Sequence, residues 1–525
     1  MRARSPDLTS SFPMLRLLLA ALLAAPVALA QPAVVPAVDD WHLQDAEADG
    51  VVGISLDRAY ELLADRQPEE VVVAVLDSGV EITHPDLVPV LWVNEDEIPD
   101  NGVDDDGNGY MDDVHGWSFL GGPDGQNLEH DTLELARLVA LCRAGTPDAT
   151  YSDCEALEAE LTEERQGYAQ QAPQVAQILA QMRAADGYLR DTFGDAYDPD
   201  NPSALDVGDD AQAGQAQQFL AAVIAQAGPI SVIEGYDTQI RERLEYSLNP
   251  DYDARDIIGD TYADLTERFY GNADVDGPDS NHGTGVAGLI GAARGNDIGI
   301  DGVAPVRIMA VRTVPGGDER DKDVANAIRY AVDNGAHILN MSFGKSYSPQ
   351  KAVVDEAVRY AAEKGVLLVH ASGNSSEDID VEDNFPTAVM LDGTVSPLWL
   401  EVGASTKDQA ELAAPFSNYG QTRVDVFAPG ARVMSLARRG KTQTADGTSF
   451  ASPIAAGVAA LLMAYFPDLD AATVRQIVVD SAVRHPIEVP RPGDGESVSF
   501  ETLSVTGGVV NAAAAVEMAM QRVEG

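Results

Sequence analysis

Lysine is scarce in this chain. Six lysines occur among 525 residues, all between Lys322 and Lys441, against 85 acidic residues and a formal net charge of −51. Such a field repels nucleic acid and anionic membranes, so neither is expected as a partner. Cysteine is scarcer still, with only Cys142 and Cys154. Two cysteines cannot form a zinc-ribbon set; they are either one disulfide or two buried thiols. After residue 30 no apolar run approaches the ~20 residues of a membrane-spanning helix, so no integral span is expected. Hydrophobic residues make up 45% of the chain, enough for a substantial core. The length suits one large domain with an insertion, or two to four ordinary domains.

The first thirty residues read as a processing signal. Arg2, Arg4 and Arg16 precede the apolar run from Leu17 to Ala25, and Ala28-Leu29-Ala30 is a small-x-small cleavage site. Residues 1–30 are therefore read as a signal peptide, cut after Ala30. The protein is expected to be exported, either secreted or periplasmic. No cysteine stands directly after the cut, where Gln31 lies, which argues against a lipid anchor there.

Residues 31–123 begin an α/β pattern. Val71 to Leu76 is an unbroken apolar run, as expected of a strand buried on both faces of a parallel sheet, and Asp77 stands at its end. From 124 to 270 the chain reads helical. Leu135, Leu138, Val139 and Cys142 recur at helical spacing, as do Val175, Ile178, Leu179 and Met182, and later Ile233, Ile240 and Leu244. A disulfide between Cys142 and Cys154 would staple a helical hairpin. From 271 to 525 strands and helices alternate again, which argues for a mostly parallel sheet covered on both faces.

Three segments carry the chemistry, in this order: Val75-Leu76-Asp77-Ser78-Gly79, Asn281-His282-Gly283-Thr284-Gly285 and Gly447-Thr448-Ser449-Phe450-Ala451-Ser452-Pro453. A serine nucleophile needs a base for its proton, and the base needs a carboxylate to fix its tautomer and stabilise its charged form. Glycines beside each residue allow sharp turns and close approach of a substrate. Ser449 opens an apolar helix, where free N–H groups favour developing negative charge. Taken singly, each residue has a plainer reading: Asp77 a turn residue, His282 a structural histidine, Ser449 an N-cap. The seven-residue string around Ser449 and the order Asp, His, Ser argue against those readings. It is not an α/β-hydrolase elbow, because position 451 is Ala.

These segments and their flanks resemble the subtilisin-like serine proteases, the subtilases of peptidase family S8, over residues 41–123 and 271–520. The resemblance implies a three-layer α/β/α fold with a mostly parallel central sheet, here interrupted by a helical insertion at 124–270. It implies a serine-type endopeptidase in which Asp77, His282 and Ser449 form the triad and Asn374, in His370-Ala371-Ser372-Gly373-Asn374, steadies the oxyanion. Ser342, Phe343 and Gly344 resemble the strand that pairs with extended substrate, and with Ala371, Ser372 and Gly373 they should frame the pocket before the scissile bond. The family usually has a second His where this chain has Gly285, which bears on local packing.

Two features suggest structural calcium. Asp104, Asp106 and Asn108, with the carbonyl of Tyr110, fit the first half of an oxygen-rich loop, although the usual Glu at its twelfth position is replaced by His115. Asp112 or Asp113 would have to substitute. Asp86 and Asn296 lie in segments resembling a subtilisin calcium site. The resemblance further implies protein or peptide substrates and a monomer. Little room is left before Asp77 for a folding-assisting propeptide, and nothing after Ala515 reads as another domain. The insertion is expected to limit access of large substrates. Two rival readings fit the residues less well. A catalytically idle, protease-like binding protein would be marked by a missing site residue, and none is missing. An esterase or lipase would need an elbow motif.

Overall fold

A computed structural model describes residues 40–524; the signal-peptide reading lies outside the described residues. Thirteen strands are formed: β1 (Val72–Asp77), β2 (Gly116–Ser118), β3 (Arg307–Arg312), β4 (Ile338–Met341), β5 (Leu367–Ala371), β6 (Trp399–Ser405), β7 (Val426–Pro429), β8 (Val433–Ala437), β9 (Lys441–Ala445), β10 (Val483–Arg484), β11 (Glu488–Pro490), β12 (Ser497–Ser499) and β13 (Gly508–Val509). Nine of them make one sheet in the order β10-β13-β7-β6-β5-β4-β1-β3-β2. Every pair in it is parallel except β10 with β13.

The sheet is the middle of three layers, and the two-residue period of its strands shows why. Val73 and Val75 of β1 enter one core with Ile308, Leu367 and Val369. Val72, Ala74 and Leu76 enter the opposite core with Met309, Val311 and Leu368. The first face is covered by helices Asn281–Gly291, Thr448–Tyr465, Ala471–Asp480 and Ala512–Glu524, the second by Asp321–Asp333 and Lys351–Glu363. Strands buried on both faces must be apolar throughout, which is why they read as unbroken runs. Strand β1 falls within one residue of the apolar run read from Val71 to Leu76.

Thr448–Tyr465 is one described helix long and apolar enough to cross a membrane, yet 89% of its apolar window is buried in the protein. It is the internal helix on which the sheet packs.

The chain divides into two compact units, with Leu135–Tyr252 forming the smaller. Its helices are Glu134–Arg143, Cys154–Phe193, Ala211–Ala227 and Ile230–Glu242. The second of these runs unbroken through Pro173 for 40 residues, with Asp153 capping its first turn. It carries Val175, Leu179 and Met182 in a core shared with Leu220, Val223, Ile233 and Ile240. Cys142 and Cys154 are bonded, with Cα atoms 5.6 Å apart.

The sequence reading extended the helical stretch to 270, but residues 253–270 belong to the larger unit. Burial of paired charges holds them there. Arg255 binds Asp260 at 2.7 Å and Asp323 at 2.6 Å, and Lys322 binds Asp260 at 2.7 Å and Glu267 at 2.9 Å. Ile258 and Tyr270 enter the second core beside them.

Candidate active site

Parallel sheets collect functional groups at the carboxyl ends of their strands. Asp77 is the last residue of β1, Ser342 follows β4, and Ala371 ends β5. Asp77 is 1% exposed. Its Oδ1 accepts from the Ser78 amide at 2.7 Å and from Nδ1 of His282 at 2.7 Å. Its Oδ2 is buried and has no partner among the described residues.

His282 stands in the first turn of helix Asn281–Gly291, its side chain 39% exposed. The helix can come this close only because residue 283 is glycine. A Cβ there would run into the Gly79 carbonyl and lie 3.0 Å from the Asp77 Cβ. Burial pulls the imidazole pKa down, but the Asp77 charge, its hydrogen bond and nearby Asp279 outweigh this, and the net shift is upward.

Ser449 is the second residue of helix Thr448–Tyr465. The ring of Phe450, next in sequence, meets the His282 ring edge-on, with centroids 5.4 Å apart. The imidazole therefore stands over the head of the serine helix. The Ser449 hydroxyl itself donates to the Ser342 carbonyl at 3.2 Å. Ser342 is bound in return, its Oγ donating to the Ser449 carbonyl at 2.9 Å and receiving from Asn340 at 2.9 Å. Ser452 Oγ lies 2.9 Å away. This hydroxyl network ties the end of β4 to the serine helix. Ser452 lies within the quoted string around Ser449, but nothing in the sequence marks its side chain, or that of Asn340, as a partner.

Asn374 Oδ1 accepts from the Thr448 amide at 2.8 Å and the Thr448 hydroxyl at 3.0 Å, so the side-chain nitrogen is turned the other way. A Cβ built on Gly447, whose φ is +146°, would lie 3.5 Å from Asn374 Nδ2 and 3.6 Å from the Ser449 amide nitrogen. Two N–H groups thus border one point that only glycine leaves open.

The segments that the sequence reading expects to bind substrate follow β4 and end β5. Ser342 and Phe343 are buried after β4, and Ala371 and Ser372 at the end of β5. His370, behind them, is fully buried between the Phe343 carbonyl at 2.8 Å and Glu401 at 2.9 Å.

The proposed calcium ligands fall into two places. Asp86 is fully buried; its oxygens accept from Asn296 Nδ2 at 2.7 Å and the Ile300 amide at 3.0 Å. A buried carboxylate met only by neutral donors suits a hard cation. In the other loop the Asp104 oxygens are taken by the amides of Gly107, Asn108 and Gly109. Tyr110 packs its ring against Trp117 and Tyr330. Asp106 instead joins Glu97 and Asp113 in a cluster whose oxygens lie within 4.8 Å of one another. Asn108 donates to both Asp106 and Asp113. Burial pushes the Asp113 carboxyl up to about 6, against hydrogen bonds from Tyr330, Asn94 and Asn108. Glu97 was missed because it precedes the loop and is brought in only by folding.

A family profile described as the subtilase family matches residues 69–507. The chain belongs to the subtilase family. Among subtilases it is 38% identical to the thermophilic serine proteinase of Bacillus sp. (strain AK1) over 216 residues, 41% of this chain and 48% of that one. It is 36% identical to subtilisin BL of Lederbergia lenta over 206 residues, 39% of this chain and 70% of that one. A cell wall-associated protease of Bacillus subtilis (strain 168) is 31% identical over 48% of this chain and 25% of its own. The match thus spans about half of the first relative and a quarter of the last. Among solved structures, a cold adapted subtilisin-like serine proteinase is 28% identical over 46% of this chain and 78% of its own, with a TM-score of 0.36.

The departure from the usual subtilase pattern at Gly285 is a matter of packing. A Cβ at this residue would meet the Leu436 carbonyl, Ser435 Oγ and the Phe450 ring, each at 3.2 Å. Hairpin β8–β9 closes on the helix here, and Ser435 donates to the Gly285 carbonyl at 2.7 Å.

Proposed function

We propose that the protein is an exported serine endopeptidase acting through Asp77, His282 and Ser449. The observation that carries this reading is the 2.7 Å contact between His282 Nδ1 and Asp77 Oδ1, with the same ring against Phe450. A carboxylate on Nδ1 keeps that nitrogen protonated and leaves Nε2 as the base. The Ser449 hydroxyl turns from its 3.2 Å bond with the Ser342 carbonyl and gives its proton to Nε2 as it attacks the peptide carbonyl. The bond is long for an O–H donor, so little is lost in leaving it. Negative charge on the carbonyl oxygen is met by Asn374 Nδ2 and the Ser449 amide, the two donors bordering the Gly447 gap. The imidazolium protonates the leaving amine, and water activated by the same ring releases the acyl-enzyme. Buried Asp77 stabilises the imidazolium in both halves.

Extended substrate would lie along Ser342 to Gly344, with its side chain before the cleaved bond between that segment and Ala371 to Gly373. Asp86 with Asn296, and Glu97, Asp106 and Asp113, would hold calcium, which would tie loops together and take no part in the chemistry. The Cys142–Cys154 bond fits an oxidising compartment outside the cytosol. Substrates are proteins or peptides, and the working form is a monomer.

The test is the Ser449→Ala variant assayed on casein, together with fluorophosphonate labelling of the parent. Loss of hydrolysis and one label per chain are expected. Hydrolysis that survives the substitution would overturn the reading.

A further inference from the structure

Arg312 ends β3 and lies in register with Asp77, the last residue of β1. Its side chain is buried, the residue only 2% exposed, yet its polar partners are all uncharged oxygens. Nε donates to the Ser78 carbonyl at 2.9 Å, and Nη2 donates to the Leu128 carbonyl. Nη1 lies 3.4 Å from Ser118 Oγ. Burial pushes the guanidinium down to about 10, against the pull of Asp274, Glu129, Asp276 and Asp279. None of these acids pairs with it among the described residues. A buried charge met by neutral groups alone is a poor source of stability. Its use lies in what it holds.

That is the turn directly after Asp77. The Asp77 carbonyl accepts from the amides of Thr313 at 2.9 Å and Val314 at 3.2 Å, while the Ser78 amide is bonded to Asp77 Oδ1 at 2.7 Å. These bonds fix the peptide between Asp77 and Ser78. Arg312 fixes the next peptide, through the Ser78 carbonyl. The chain that leads to His282 closes on the same guanidinium. Gly277 has a φ of +63°, and a Cβ there would run into Nε and lie 2.8 Å from Cδ. Beside it the Val275 carbonyl accepts from the Val80 amide at 2.9 Å. A planar fork reaches the Ser78 and Leu128 oxygens together; a lysine ammonium, one point at the end of a stem, does not.

Resting on the endopeptidase reading, we infer that Arg312 is a positioning residue that acts through Asp77. By clamping the turn at Ser78 it keeps the Asp77 carboxylate in line with His282 Nδ1. It touches neither substrate nor the reacting atoms. Without the clamp the carboxylate is still present and still buried, but its bond to the imidazole is no longer held in one geometry.

The experiment measures kcat and KM on one peptide for the full chain, Arg312→Met, Arg312→Lys, Asp77→Asn, and Asp77→Asn combined with each Arg312 variant. Circular dichroism and urea midpoints report folding. Arg312→Met, which keeps the length and loses the donors, should lower kcat by about thirtyfold or more with KM within about threefold. Arg312→Lys, which keeps the charge and loses the fork, should lower kcat by about fivefold or more. In the Asp77→Asn chain the carboxylate is already gone, so either substitution should cost less than about threefold. A residue that only stabilises the fold would cost the same factor in both chains. Equal costs, or an Arg312→Lys enzyme with the parent's kcat, would overturn the inference and leave the protease reading intact. If Arg312→Met does not fold, the lysine cycle decides by the same criterion. A parent that neither takes a fluorophosphonate label nor cleaves any peptide removes both.

Discussion

Nδ1 of His282 lies 2.7 Å from Oδ1 of Asp77, a partly exposed ring against a carboxylate that water does not reach. The pairing makes the imidazole more basic than a free one, because the Asp77 charge and hydrogen bond exceed the cost of burial. Peptide hydrolysis needs the ring neutral. kcat/KM should therefore fall about tenfold per pH unit on an acid limb lying above the ordinary value of about 6.5. In Asp77→Asn the charge is gone and burial dominates, so the limb should move to lower pH. kcat should drop about 10⁴-fold with the fold unchanged by circular dichroism. A limb that stays in place would separate the ring from the rate.

Asn374 and the Ser449 amide should act together on the oxyanion. Asn374→Ala is expected to lower kcat by about 10²–10³-fold with little change in KM, because the donor is needed only when charge develops. Gly447→Ala tests the same point from the other side, since its Cβ would occupy the space that both donors border. It should lose kcat to a similar degree, with folding checked in parallel because φ is +146° there. A Gly447→Ala enzyme with normal kcat would move the oxyanion elsewhere.

Calcium should raise the melting temperature, and a chelator should lower it. Ligand at a hundred times its dissociation constant adds about 2.7 kcal/mol to stability. Asp86→Asn and Asp113→Asn should each reduce the calcium-dependent shift. A melting temperature indifferent to calcium and chelator would remove both sites.

Glu319 is 2% exposed, and its Oε1 has no partner among the described residues. Burial pushes its carboxyl up to about 8, against the pull of Lys345. An unfolded glutamate titrates near 4.3. Between those values the folded chain holds a proton that the unfolded chain has released. Stability from this residue is thus full below about pH 4 and falls as pH rises, by up to about 1.4 kcal/mol per unit, until about pH 8. Urea midpoints measured at pH 5 and pH 8 should converge in Glu319→Gln relative to the parent. Equal slopes would show that the parent releases this proton early.

The Cys142–Cys154 bond closes a loop of sequence separation 12. A loop near that length is worth about 3 kcal/mol through the unfolded chain. A Cys142→Ser, Cys154→Ser double variant should be cut faster by trypsin after Arg137, Arg143 and Arg165, the basic residues nearest the turn, read by mass spectrometry. An unchanged cleavage pattern would mean that packing alone holds these helices.

Much of the architecture was legible because two-sided burial leaves no choice of residue. Val72 to Leu76 had to be apolar to feed both cores, so β1 and the position of Asp77 at its end could be read directly. The Cys154 helix was legible only in pieces. The spacing marks the apolar face around Val175, and the structure shows it to be part of one helix running from Cys154 through Pro173 to Phe193. Residues 253–270 misled the reading because their anchors, Asp323 and Lys322, lie more than fifty positions away.

The sequence by itself determined the alternation of strand and helix and which side chains are of a type able to act as acid, base and nucleophile, because periodicity and side-chain type are local properties. The tertiary structure alone decided what those residues meet. It placed His282 against Asp77 across 205 positions and joined Glu97 to Asp106 and Asp113. Hydrogen bonds, desolvation and steric closure act over a few ångströms of space, and chain separation does not encode that distance.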